Sequence, residues 1–142
     1  VKTRPNLVLA VVAGAVVVLA VVAAVVAALR PTPHFDKSTP EGTAQLFVSA
    51  VVNDDDQGAV ELLDPTLGCG TPLRDVYRPT SVSMSVVDVT RDGDTARVVL
   101  YVTEQGSGGL LDSFSHNETY DLKADNGGWL ITGLPWPVFS CK

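Results

Sequence analysis

The sequence is poor in the residues from which metal and redox centres are built. Among 142 residues there are two cysteines, Cys69 and Cys141, two histidines, His34 and His116, and one methionine. No spacing resembles a metal-binding Cys-x-x-Cys pair, and His34 and His116 lie too far apart in sequence to read as zinc ligands. Basic side chains are also scarce, with ten Lys and Arg against 16 Asp and Glu. From Pro31 onward the balance is seven against 16, a net charge of −9 (7 − 16). Such acidity argues against a nucleic-acid partner, which wants a basic face, and against the polar part lying flat on anionic lipid. Solubility is the plainest reason for it, and a basic partner protein the second.

What the chain has in abundance is one apolar run. Leu7 to Leu29 holds ten valines, eight alanines, four leucines and one glycine, with no charged or strongly polar side chain. As a helix rising about 1.5 Å per residue it spans roughly 34 Å, enough for the hydrocarbon core of a bilayer. A cleaved signal peptide usually has a much shorter apolar core, although Val26-Ala27-Ala28 is acceptable to a signal peptidase. A lipoprotein anchor would need a cysteine near the end of the run, and there is none. The expectation is an uncleaved single-pass helix over 7–29, after a short N-terminal segment over 1–6.

Lys2 and Arg4 before the run, against Arg30 and Lys37 after it, lean mildly towards a cytoplasmic N-terminus in a plasma membrane. The cysteines agree, because two in a domain on the oxidising side of a membrane are most simply a disulfide, Cys69 to Cys141. Residues 30–37 form a linker that two prolines make extended and semi-rigid. The remaining 38–142 are close to one ordinary domain.

Within that domain a helix starts at Ser38-Thr39-Pro40-Glu41, either with Ser38 capping against Glu41 or with Thr39 capping and Pro40 first in the helix. Ala44, Phe47, Val48 and Val51 follow at helical spacing. Asn53-Asp-Asp-Asp56 breaks the helix and starts a short second one, carrying Ala59, Leu62 and Leu63. Thr71-Pro72 offers a further helical turn, through about Tyr77. The period then changes to two. Val82, Met84 and Val86 alternate with serines up to a hairpin at Asp92-Gly93. Thr95 to Thr103 is a Val-rich strand, and Gln105 to Gly109 a loose Gly-rich loop. Phe114 to Leu122 is a third strand, Asp125 to Gly128 a turn, and Trp129 to Leu134 a fourth strand. The fold class is therefore α+β, with two or three short helices packed in the concave side of a curled four-stranded antiparallel sheet. The tail Pro135-Trp-Pro-Val-Phe139 is left to dock on a partner or to pack over the open end of its own sheet.

This pattern resembles the cystatin-like cone of the nuclear-transport-factor-two-like superfamily, especially its small extracytoplasmic, single-helix-anchored forms in Actinobacteria. The resemblance covers about Ser38 to Leu134. It rests on Thr39-Pro-Glu-Gly-Thr-Ala-Gln-Leu-Phe-Val48, the acidic break Asp54-Asp55-Asp56, and Gly127-Gly128-Trp129-Leu130-Ile131. It implies an accessory part of a larger envelope or membrane assembly, respiratory ones included. A cytochrome bc–cytochrome oxidase supercomplex is the specific expectation.

His116 and Glu118 are the polar residues most suggestive of chemistry, because alternation puts them on the face of Phe114, Tyr120 and Leu122. With Tyr101 or Arg97 across the sheet they form a possible pocket able to move a proton. The plain alternative is a pair at the strand end, solvated or bridged to Arg97. Asp54-Asp55-Asp56 lacks the ligand spacing of a calcium loop and reads as a solvated helix break. The single histidine of the sheet has no nucleophile elbow to serve, and Gly106 to Gly109 does not sit between a strand and a helix as a phosphate loop does. No enzyme motif, cofactor or metal site is expected. In the apolar run, Ala10 and Gly14, and Ala20, Ala24 and Ala28, recur at four-residue steps that let another membrane helix approach closely. The leading expectation is thus a non-catalytic subunit docking through its membrane helix and outer domain. The alternative is a binding module with a small apolar or lipid ligand in the cone.

Overall fold

A computed structural model describes residues 4–29, 34–106 and 112–142. The chain divides into two compact units, Val1–His34 and Phe35–Lys142. The first is a single helix, α1 (Pro5–Ala28). Extended Arg4 is its N-cap and Pro5 opens it, a position where proline's fixed φ suits a helix and its missing N–H costs nothing. The helix therefore starts ahead of the expected Leu7. Asn6–Ala28, 23 residues of mean hydropathy 3.1, is long and apolar enough to cross a membrane. The expected 1–6 segment and 30–37 linker fall partly outside the described residues, at 1–3 and 30–33. The Gly-rich loop does so at 107–111.

The second unit runs α2 (Pro40–Val52), α3 (Asp56–Glu61), one 3-10 turn (Pro65–Leu67), β1 (Ser81–Asp92), β2 (Thr95–Gln105), β3 (Ser113–Asp125) and β4 (Gly128–Ile131). Thr39 wins the competition to cap α2, accepting the Gly42 N–H at 3.1 Å, while Glu41 turns outward to Arg91. Ala44, Phe47, Val48 and Val51 are all fully buried, as their spacing predicts. The acidic break is structural: Asp55 accepts the Gly58 N–H as the cap of α3, and Asp56 accepts from Leu73 N–H and Arg78. Burial works against the Asp56 charge, but those hydrogen bonds prevail and hold its carboxyl below the usual range. Among the described residues no cluster has the make-up of a metal site.

The sheet is antiparallel in the order β1-β2-β3-β4. It is open and not strongly curled, because β1 and β4 remain its two edges; this corrects the expected curled sheet. Its hairpins follow the sequence. Gly93 has φ +60° between β1 and β2, and Asn126 and Gly127 are both left-handed between β3 and β4, as a type I′ turn requires. Two details differ from expectation. A β-bulge between Val86 and Asp88 shifts the alternation: Val86 lies opposite inward Leu100 yet is 40 % exposed, and beyond the bulge Val89, opposite Val98, carries the inward side. Thr71–Tyr77 is not a helical turn: Val76 pairs antiparallel with Val138, and the extended segment binds the C-terminal tail. Cys69 and Cys141 are bridged.

Asp64 ties the helical layer to the sheet. It is buried, its Oδ1 accepts from the Thr66 N–H and hydroxyl at 2.8 Å each, and its Oδ2 pairs with Lys123 of β3. The Lys123 hydrogen bond and then those from Thr66 hold its carboxyl well below the ordinary 3.8, at about 2. A depressed acid contributes stability that is complete above its unfolded value and lost as pH falls through the folded one. Urea midpoints should therefore decline between about pH 4 and 2, and more steeply in the wild type than in Asp64→Asn. Equal slopes in the two proteins would remove Asp64 from the account.

Candidate functional site

Inward residues of β2 are set by alternation from Ala96: Val98, Leu100, Val102 and, at the strand end, Glu104. On β3 the matching positions are His116, Glu118, Tyr120 and Leu122, with His116 opposite Val102 and Glu118 opposite Leu100. The inner face is thus apolar along most of its length and turns polar at one end. There the His116 ring lies between two carboxylates, Nε2 at 2.6 Å from Glu104 Oε1 and Nδ1 at 2.9 Å from Glu118 Oε1. Glu104 Oε2 accepts the Tyr77 hydroxyl at 2.8 Å, and this hydrogen bond, with burial, raises the phenol above its ordinary range.

The C-terminal tail roofs this end. Tyr120 donates its hydroxyl to Trp136 O at 3.0 Å, Tyr77 N–H donates to Pro137 O, and Phe139 N–H to Asp75 O. These bonds bring the Trp136 ring edge-on to His116 at 5.1 Å, while Phe114 stacks on the other ring contact at 5.3 Å. Burial pushes the Tyr120 phenol far up, so it serves as a fixed donor to the tail. Of the two expected fates of Pro135–Phe139, packing over its own sheet is the one observed. The domain core beneath is filled: Phe47, Leu100, Val102, Tyr120 and Val138 are fully buried in one cluster.

His116 and Glu118 therefore do come together on the inner face, but the rest of the expected pocket does not join them. Tyr101 is 44 % exposed on the outer face, where it is opposite Asn117 and Ser85. Arg97 shares that outer parity and pairs with Asp121 at 2.8 Å, so the expected bridge from Arg97 to the His–Glu pair is absent. Both corrections have one cause: odd-numbered residues of β2 face out. The partners the sequence reading missed are Glu104, Tyr77 and Trp136. Glu104 was legible, being a carboxylate in step with Val98, Leu100 and Val102. Tyr77 was not, because a non-repetitive crossing segment carries it to the site. In α1, the small residues Ala10, Gly14, Ala20, Ala24 and Ala28 are all exposed. A Cβ added at Gly14 would meet no atom within 4 Å, so nothing in the helix itself demands a glycine there.

Every side-chain polar atom buried among the described residues has a hydrogen-bond partner. The site is a closed set of pairs with an aromatic surround, open to solvent mainly at Phe114 (67 % exposed) and Tyr77 (46 %). It lies at the far end of the sheet from the point where the chain enters the domain. Gly128, beside the β3–β4 turn, lies near Lys37 O, and the nine steps along β3 from His116 to Asp125 span about 30 Å at ~3.3 Å each.

No family model matches the sequence, and no curated protein matches it. Among solved structures, the domain is similar to the solution structure of RPA3114, a SEC-C motif containing protein from Rhodopseudomonas palustris. The two share 18 % identity and a TM-score of 0.52 over 69 % of this chain and 78 % of that one. Lower likenesses are found to Rd1NTF2_04 with long sheet, at 17 % identity and TM-score 0.46 over 66 % and 94 % of the two chains. TsrD from Streptomyces laurentii gives 17 % identity and 0.44 over 71 % and 87 %. At these identities the first similarity is one of fold alone, and a fold does not carry an activity with it.

Proposed function

We propose that the chain is a non-catalytic binding module carried on a single membrane-spanning helix. In this reading the N-terminus is cytoplasmic and Phe35–Lys142 stands on the oxidising side, which the Cys69–Cys141 bridge suits. The observation that carries the proposal is the roofed, aromatic-walled end of the sheet around His116. A general base needs a ring nitrogen turned to a substrate; here each His116 nitrogen already lies within hydrogen-bond distance of a carboxylate oxygen, Glu104 on one side and Glu118 on the other. That favours recognition over proton transfer. The cone interior is occupied by side chains, so the seat is the rim, where a small apolar or lipid-like ligand lies against Phe114, His116 and Trp136.

A second reading, a subunit of a larger membrane assembly, has one observation in its favour: the glycine at position 14, which its own helix does not require. A single experiment separates the two. The full chain is extracted from native membranes in mild detergent and examined by native mass spectrometry. The binding module predicts a small apolar adduct that Phe114→Ser abolishes. A ligand-free chain in a stoichiometric complex that Gly14→Leu dissolves would replace it by the subunit reading.

A further inference from the structure

The two edges of the sheet are treated differently. β4 is only four residues long, and Leu63 bridges Ile131 on its outer side, with Asp64 N–H donating to Ile131 O and Ile131 N–H to Leu62 O. That edge is short and covered. β1 runs for 12 residues with β2 as its one strand neighbour among the described residues. Its second half is protected in the usual ways, by the bulge at Val86–Asp88 and by the charges of Asp88, Arg91 and Asp92. Its first half, Ser81-Val-Ser-Met-Ser-Val86, has no charge, no proline and no bulge, and its outward side chains are serines. Along these six residues, about 20 Å of strand, the backbone groups on the side away from β2 have no partner among the described residues.

Beside this stretch is a concavity of about 280 Å³ between β1 and the last turn of α2. Val52, Val82 and Met84 supply apolar surface, and Ser49, Asn53 and Ser81 supply polar atoms. A free strand edge running alongside a helix, with an apolar trough between them, has the two parts that strand addition uses. Backbone groups provide the ladder, and the trough takes every second side chain. At Asn53 the trough adjoins the acidic break in sequence. The carbonyl end of α2 meets the acidic break, where Asp54, Asp55 and Asp56 are set against one guanidinium, Arg78.

We propose that Ser81–Val86 is a docking edge for an extended segment of a partner polypeptide. The segment adds as a fifth strand, places an apolar side chain over Val52 and Met84, and carries a Lys or Arg towards Asp54. The ladder requires a polypeptide, the trough an apolar residue at alternate positions, and the acidic break a basic one.

The test uses the full chain in detergent and a fluorescein-labelled acetylated peptide of alternating valine and threonine, flanked by lysines. Anisotropy should show saturable binding. On saturation, alternate amides within Ser81–Val86 should exchange with solvent at least tenfold more slowly. N-methylating every second peptide bond of the probe should abolish binding in one phase and leave it unchanged in the other, with the protein untouched. Ser83→Pro should also abolish binding, with circular dichroism confirming the fold. Absence of binding, or equal affinity for both N-methylated probes, overturns the proposal. It is also overturned if the chain alone is dimeric with those amides already protected, because a second copy then occupies the edge.

Discussion

Replacing Cys69 and Cys141 by serine should remove about 4 kcal/mol from the unfolding free energy of the outer domain. The bridge joins residues 72 apart in sequence, and closing a loop of that length in the unfolded chain accounts for roughly 4 kcal/mol by chain entropy. Domains of this size are commonly stable by only about 5–15 kcal/mol, so the loss is a large share of the whole. The position of the bridge matters as well as its length. It fastens the last residues of the tail, which carries buried Val138, places the Trp136 carbonyl on the Tyr120 hydroxyl, and holds Trp136 against His116. Guanidinium unfolding followed by tryptophan fluorescence should show the reduced midpoint, and the single variants should match the double. An unchanged midpoint would mean that the Val76–Val138 pairing and the Tyr120 bond hold the tail unaided.

The parts of the fold legible in the sequence are those set by local periodicity. Ala44, Phe47, Val48 and Val51 mark one face of α2, and the β1–β2 and β3–β4 turns follow from Gly93 and from Asn126-Gly127, whose left-handed backbones the residue types permit. His116 and Glu118 are legible for the same reason, since parity along one strand puts both on the Tyr120 face. What local reading misses is of two kinds. One is a break in the period: the extra residue between Val86 and Asp88 leaves no mark in a run of small and β-branched residues, so the switch of the inward side from Val86 to Val89 is not announced by the pattern. The other is contact across the chain. Tyr77 meets Glu104 across a sequence separation of 27, and Trp136 meets His116, through a bridge between Val76 and Val138 that neither segment's own pattern announces. Relating Tyr101 to the site failed because parity on β2 has to be counted from its own register, and that register places Tyr101 opposite Asn117 on the outer face.

Phe47→Ala should cost the outer domain about 3–5 kcal/mol, the range for deleting a fully buried aromatic side chain. Phe47 is 0 % exposed and is the largest residue that α2 lays on the sheet. Its ring meets Tyr120 edge to face at 6.5 Å, directly beneath the layer that bonds the tail. Collapse of the cavity is opposed on both sides, because the helix above is fixed by Thr39 and Pro40 at its start and the sheet below by its ladders. The consequence extends beyond stability. If the Tyr120 ring shifts towards the vacated space, its hydroxyl leaves the Trp136 carbonyl and the roof over His116 loosens. Trp136→Phe leaves Trp129 as the remaining indole, so comparing Phe47→Ala with and without it separates the fluorescence change at the roof from that elsewhere. The expected pattern is a lower guanidinium midpoint together with greater solvent exposure of Trp136 in the native baseline. A lower midpoint with an unchanged Trp136 signal would show that the roof is held by the Val76–Val138 pairing and the Cys69–Cys141 bridge, and not by the core beneath it.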